Sequence, residues 1–171
     1  MGYYNMKIND ILRASGVTRW HIVRTVRPQS LAEHTFDVVF IARAIAKIAG
    51  VDDYEIIKAA LLHDLDEIIT GDIPTPTKKR ARDNGWELND LYEKVTGREL
   101  SEDESLIIQL ADKMADLYWL WLHALGPHSN QVYEQMAEQF NGDIRGEGIP
   151  DNIREAVLDV QVQVLSEDFL I

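Results

Sequence analysis

Three apolar helical stripes in this chain are each interrupted by side chains that are costly to bury alone. His34 lies in line with Leu31, Val38, Ile41 and Ile45. His63 and Asp64 follow Ile56, Ala59 and Ala60, and Asp112 falls between Ile108, Ala115 and Trp119. Residues at these spacings share one face of a helix. A polar group on a core-facing stripe costs free energy unless something inside satisfies it, and a charged group costs more. One shared partner accounts for all three interruptions: two imidazoles and two carboxylates around a divalent cation. Each residue also has a plainer reading. A core imidazole can bond backbone carbonyls, His63-Asp64 can end a helix beside solvent, and Asp112 can cap, or pair with Lys113 or a distant arginine. The conjunction favours the metal.

The rest of the chain gives these stripes an all-α frame. Residues 5–14 read as a first amphipathic helix through Ile8, Ile11 and Leu12, stopped near Gly16, and 17–29 are less regular. Ser30-Leu31-Ala32-Glu33 is a capping box that opens a helix running to Gly50. Asp52 or Asp53 caps the next, which ends around His63-Asp64. Gly71, Pro74 and Pro76 mark 71–77 as a loop, and a charged stretch follows to Asp83. A short helix is expected over 87–96. Ser101 and Glu104 form a second capping box, opening a helix to about Leu125. Helices over 129–140 and 151–166 flank a loop at 141–150. No stretch alternates long enough to argue for a sheet.

At 171 residues, with 46% hydrophobic and 27% charged residues, the chain reads as one domain over 1–171 with a core of its own. No apolar run approaches a membrane span and no secretory signal is visible, so a cytoplasmic location is expected (the host cytoplasm if the source is viral). The absence of cysteine excludes thiolate ligands and disulfides. A net charge of −12 argues against a nucleic acid polymer as partner. A small anion needs only a local positive site. A nitrogen and oxygen donor set suits Mn, Fe, Co, Ni, Zn or Mg, and such an ion polarises a phosphoryl group and lowers the pKa of a coordinated water.

Nearby side chains complete a reaction centre. Glu67, three residues after Asp64, approaches the same side of the chain and suits a general base. Asp72, on the following loop, can accept a proton or give one to a leaving oxygen. Lys78, Lys79, Arg80 and Arg82 are conspicuous in so acidic a chain and could attract a polyphosphate. Tyr118, Trp119 and Trp121 suggest self-association into a homo-oligomer.

The set His34, His63-Asp64 and Asp112 resembles the H…HD…D ligands of the HD-domain metal-dependent phosphohydrolases. TRWHIVRTVRPQSLAEHT (18–35), LLHDLDEIITGDIPTPTK (61–78) and LADKMAD (110–116) are similar to bacterial 5′-deoxynucleotidases and to small viral deoxynucleoside triphosphohydrolases acting on dATP. The resemblance covers roughly residues 1–125. It implies an all-α HD-domain bundle with a central metal site and ligation by His34, His63, Asp64 and Asp112. It further implies a catalytic Glu67 supported by Asp72, Arg19 on a phosphate, Trp20 near sugar or base with Ile22 along the same wall shaping the base pocket, and Thr75 in the substrate loop. The expected reaction is hydrolysis of dATP to deoxyadenosine and triphosphate. A 5′-deoxynucleotidase acting on monophosphates is the alternative enzyme, and a non-catalytic helical metal-binding or scaffold protein the alternative class.

Overall fold

The computed structural model describes residues 7–85 and 98–165. Two long helices organise it. The first, α2 (Leu31–Ala49), starts at the expected capping box: Glu33 N–H donates to Ser30 Oγ, and Ser30 N–H donates to the Glu33 carboxylate. It ends at Gly50, whose φ of 73° suits a residue without Cβ. Its buried face carries Leu31, His34, Val38, Ile41, Ala42, Ile45 and Ala46. The second long helix (Glu102–His123) opens on the Ser101–Glu104 box and buries Ile107, Ile108, Ala111, Met114, Ala115 and Trp119 along one side.

Around these pack the remaining elements. A short α1 (Ile8–Ile11) continues as a 3-10 turn over Leu12–Gly16. After α2 come α3 (Asp53–Leu62), α4 (Glu67–Thr70) and α5 (Thr75–Asp83). The helix Glu102–His123 is α6, followed by α7 (Pro127–Arg145) and α8 (Asp151–Leu165). Helix α2 lies against α3, α6 and α8, and α6 packs also on α7. The core runs between them through Ile45, Ile56, Met114, Phe140, Ile153 and Val157. No helix among the described residues is long and apolar enough to cross a membrane.

Several boundaries differ from the sequence expectation. The region 17–29 contains a two-stranded antiparallel ribbon, β1 (Thr18–Arg19) with β2 (Gln29–Ser30), paired Thr18↔Ser30 and Arg19↔Gln29. Two residues per strand are too few for an alternating pattern to register. Helix α5 begins at Thr75, inside the expected loop, and takes in the charged stretch to Asp83. Pro76 sits in its first turn, where a missing N–H costs nothing. Helix α7 runs straight through Gly142 to Arg145. A helical glycine costs about 1 kcal/mol, but continuing places Ile144 under Phe140 in the core. Arg154 of α8 then donates to the carbonyls of Ile144 and Gly146 at the end of α7 and of Ile149 in the loop that follows. In the N-terminal element Ile8 and Leu12 are exposed rather than packed, and Trp119, expected at an interface as well as in the core, is buried within the chain. The short helix expected over 87–96 lies outside the described residues.

The segment between the two strands is tied to the far end of α6. Val26 N–H donates to His123 O (2.8 Å), Leu125 N–H donates to Arg24 O (3.1 Å), and Ser129 Oγ donates to Arg24 O. Trp20 takes a left-handed conformation, φ 63°, which costs a bulky residue about 1–3 kcal/mol. Its indole N–H donates to Oε1 of the fully buried Gln29 (2.8 Å), so the ring is held against the ribbon.

Candidate active site

The four interrupting residues meet. His34 comes from the first turn of α2, His63 and Asp64 from the turn just after α3, and Asp112 from the middle of α6. His34 Nε2 is 3.4 Å from His63 Nε2, 2.9 Å from Asp112 Oδ1 and 3.7 Å from Asp64 Oδ2. His63 Nε2 is 3.4 Å from Asp64 Oδ2 and 3.8 Å from Asp112 Oδ1. Donor atoms each about 2.0–2.2 Å from a common ion lie roughly 3–3.5 Å from one another. The observed spacings, from 2.9 to 3.8 Å, straddle that range, and all four donor atoms lie within 4.8 Å of one another. The chemistry of the atoms suits an ion too. His63 Nδ1 is 2.7 Å from Ala60 O, so its proton sits there and the Nε2 lone pair faces the cluster. Two ring nitrogens and two carboxylate oxygens with lone pairs converging on one point call for a positive charge between them.

The electrostatics agree. Burial is the largest influence on His63 and pushes its pKa down, but Asp64 and Asp112 together lift it to about 9. Burial likewise pushes Asp112 up, and the two imidazoles hold it well below the usual carboxylate range. Left to protons alone, the cluster gathers positive charge. Asp112 Oδ1 is buried and approaches His34 closely without an aligned hydrogen bond. His34 Nδ1, Glu67 Oε2 and Arg19 Nε are buried without hydrogen-bond partners as well. Each such atom costs about 1–3 kcal/mol, and their concentration at one place is the mark of a site built for something else to bind.

Cations and acids alternate around the cluster. Arg19, buried at the end of β1, donates to Asp64 Oδ2 (2.8 Å) and Asp116 Oδ1 (3.0 Å) and lies 3.9 Å from Glu67 Oε2. Lys78, from the first turns of α5, donates to Glu67 Oε1 (2.7 Å). Glu67 is buried at the start of α4. Burial, then Asp64, raise its pKa to about 7 against the opposing pull of Lys78 and Arg19. A carboxyl that titrates there can take a proton at neutral pH. Asp72 is not in the cluster: its Oδ2 is 3.3 Å from His21 Nδ1, linking the loop before α5 to the turn after β1. Trp20 is half-buried, Ile22 is exposed beyond it, and Lys79 faces solvent. Thr75 is the first residue of α5.

Three contacts had no counterpart in the sequence reading: Asp116 under Arg19, the His21–Asp72 link, and Gln29 behind Trp20. Only Asp116 left a signal, four residues after Asp112 and so on the same face of α6.

Residues 8–134 match the model of the 5′-deoxynucleotidase YfbR-like family. The chain belongs to this family. A Cyanophage S-2L protein named dATP triphosphohydrolase is 32% identical over 165 residues, spanning 89% of this chain and 86% of that protein. Another of that name, from Acinetobacter phage SH-Ab 15497, is 42% identical over 105 residues, 53% of this chain and 51% of that protein. A Vibrio parahaemolyticus 5′-deoxynucleotidase is 27% identical over 133 residues, 73% of this chain and 65% of that protein. Among solved structures, the Cyanophage S-2L HD phosphohydrolase DatZ, bound to dA and one catalytic Zn2+ ion, superposes with a TM-score of 0.80. It is 24% identical, over 94% of this chain and 96% of that one, and establishes the HD-domain fold. The YfbR-like chain is thus an all-α, metal-dependent phosphohydrolase, and its cluster of His34, His63, Asp64 and Asp112 has the donors to hold the divalent cation.

Proposed function

We propose that the protein hydrolyses deoxynucleoside triphosphates, dATP foremost, to the deoxynucleoside and triphosphate. The observation that carries the reading is the convergence of His34, His63, Asp64 and Asp112 beside a buried Glu67 flanked by Arg19 and Lys78. The choice of substrate is supported by relatives from three phages that bear the name dATP triphosphohydrolase. Of these, the Cyanophage S-2L and Salmonella phage PMBT28 proteins align over most of the chain.

His34, His63, Asp64 and Asp112 hold the cation, which when bound supplies Lewis-acid polarisation of the phosphoryl group and acidifies water at the site. Glu67 orients the attacking water and takes its proton: one carboxylate oxygen is fixed by Lys78, and the other is buried, free of hydrogen bonds, near Arg19. As water's oxygen bonds to the α-phosphorus, the bond to the 5′ oxygen breaks. Arg19 offsets the charge that grows on the phosphoryl oxygens. Asp72, held by its contact with His21, is the group that passes a proton to the leaving 5′ oxygen. Trp20 and Ile22 form the wall that meets sugar and base, and Thr75, the first residue of α5, is a further substrate contact. Lys78 and, from the solvent side, Lys79 attract the outer phosphates. Tyr118 and Trp121, neighbouring rings on α6, are the residues through which copies of the chain would associate.

Phosphorus NMR of the products tests the proposal. Incubation with dATP and Mn2+, Co2+ or Zn2+ should release triphosphate and deoxyadenosine. Inorganic phosphate from dAMP, with dATP untouched, would establish the 5′-deoxynucleotidase reading in its place. No turnover of any nucleotide would favour a binding protein.

A further inference from the structure

Asp116 has no task in the chemistry above, yet two contacts hold it deep in the site. It lies one helical turn beyond Asp112, so both carboxylates project from the same face of α6. Between them they bracket the His34 ring: Asp112 Oδ1 is 2.9 Å from Nε2, and Asp116 Oδ1 is 3.5 Å from Nδ1. The same Asp116 oxygen accepts from Arg19 at 3.0 Å. His34 is fully buried and its Nδ1 makes no hydrogen bond, Asp116 Oδ1 being the carboxylate oxygen that faces it. Both ring nitrogens face a carboxylate, but Nε2 and Asp112 Oδ1 belong to the donor set that converges on the cation, so the single proton of a neutral imidazole resides on Nδ1, toward Asp116. The other nitrogen then keeps its lone pair. His63 reaches that state by a different device, the backbone carbonyl of Ala60.

We propose that Asp116 is a positioning residue: it fixes His34 as the Nδ1–H tautomer, so that Nε2 faces the cation, and with the same oxygen it steadies Arg19 for the substrate phosphate. The inference rests on the reading of His34 as a metal ligand. A purely structural carboxylate under Arg19 would affect folding stability and leave metal affinity alone. A carboxylate behind a ligating histidine tunes that ligand, and losing it costs about 10- to 100-fold in metal affinity.

The test is Zn2+ binding by metal-depleted, full-length protein, measured by competition with a chromophoric chelator, with thermal melts in parallel. Asp116→Ala should weaken Zn2+ binding by about 10- to 100-fold. Asp116→Asn, whose amide oxygen can still accept from Nδ1–H, should fall between Ala and wild type. KM for dATP should rise in both through Arg19. Affinities within twofold of wild type in both variants, alongside an Asp64→Ala protein that has lost the metal, overturn the inference and leave the metal site standing. An Asp64→Ala protein that binds Zn2+ like wild type overturns the metal site and this inference with it. A measurement on unmutated protein guards against a variant that does not fold. In a nitrogen–proton correlation spectrum of the Zn2+-loaded enzyme, His34 should show its proton on Nδ1, and a proton on Nε2 overturns the proposal.

Discussion

The inner and outer walls of the site are built in opposite ways. The inner wall is His34 and Asp112, set on the buried faces of two long helices each fixed at its start by a capping box, with His63 and Asp64 joining them from the end of α3. The outer wall is made from short pieces: the turn at Trp20, the four residues of α4, and α5 with its strongly charged sequence. Core helices cannot shift without disturbing dense packing, so the inner wall holds its atoms in place. Short surface elements move and vary at less cost. The difference separates two tasks: the helical core sets which atoms converge, and the outer segments set what is brought to them.

The largest effect that can break this division is at the inner wall. Asp64→Ala should remove the bound metal and turnover together, measured by metal content and product release. An active variant would detach the chemistry from the cluster. Next comes Glu67→Gln, which can still accept from Lys78 but cannot take a proton. It should lower kcat by about 10²- to 10⁴-fold while metal content stays at wild-type level. Loss of metal there would assign Glu67 to the ligand set instead. At the outer wall Lys78→Ala should raise KM for dATP severalfold and for dAMP less. Equal changes would deny it a part in holding the outer phosphates.

The smallest effect concerns Asp37 on α2. Burial raises its pKa to about 6, with Glu33 adding and with His34 and Arg27 opposing. The folded state therefore binds this proton more tightly than the unfolded chain, and stability falls as pH rises from about 4 to 6. Asp37→Asn removes the penalty. The variant should match wild type near pH 4 and melt about 1–3 °C higher at pH 7, a modest gain because the group is partly exposed. Equal melting temperatures at both pH values would contradict the shift.

The same two walls explain what could be read from the chain itself. His34 and Asp112 were legible because each breaks a long periodic stripe, and the capping boxes fixed where those helices begin. His63-Asp64 was legible as the end of a shorter one. The ribbon at Thr18–Arg19 and Gln29–Ser30 was not, since two-residue strands carry no period. Thr75–Asp83 was hidden behind Pro74 and Pro76, and the continuation of α7 past Gly142 behind a glycine whose cost is outweighed by the burial of Ile144. The basic run gave no hint that Lys78 turns toward Glu67 while Lys79 faces solvent. Contacts between distant segments, such as His21 with Asp72, follow from packing that no local pattern encodes.

The central claim is that four side chains from three parts of the chain hold one divalent cation. Anomalous diffraction from crystals grown with Zn2+ or Mn2+ tests it most directly. The account predicts a single strong peak about 2.0–2.2 Å from His34 Nε2, His63 Nε2 and a carboxylate oxygen each of Asp64 and Asp112. A metal-saturated protein whose anomalous peak lies elsewhere, with these four side chains bonded only to one another, would contradict it.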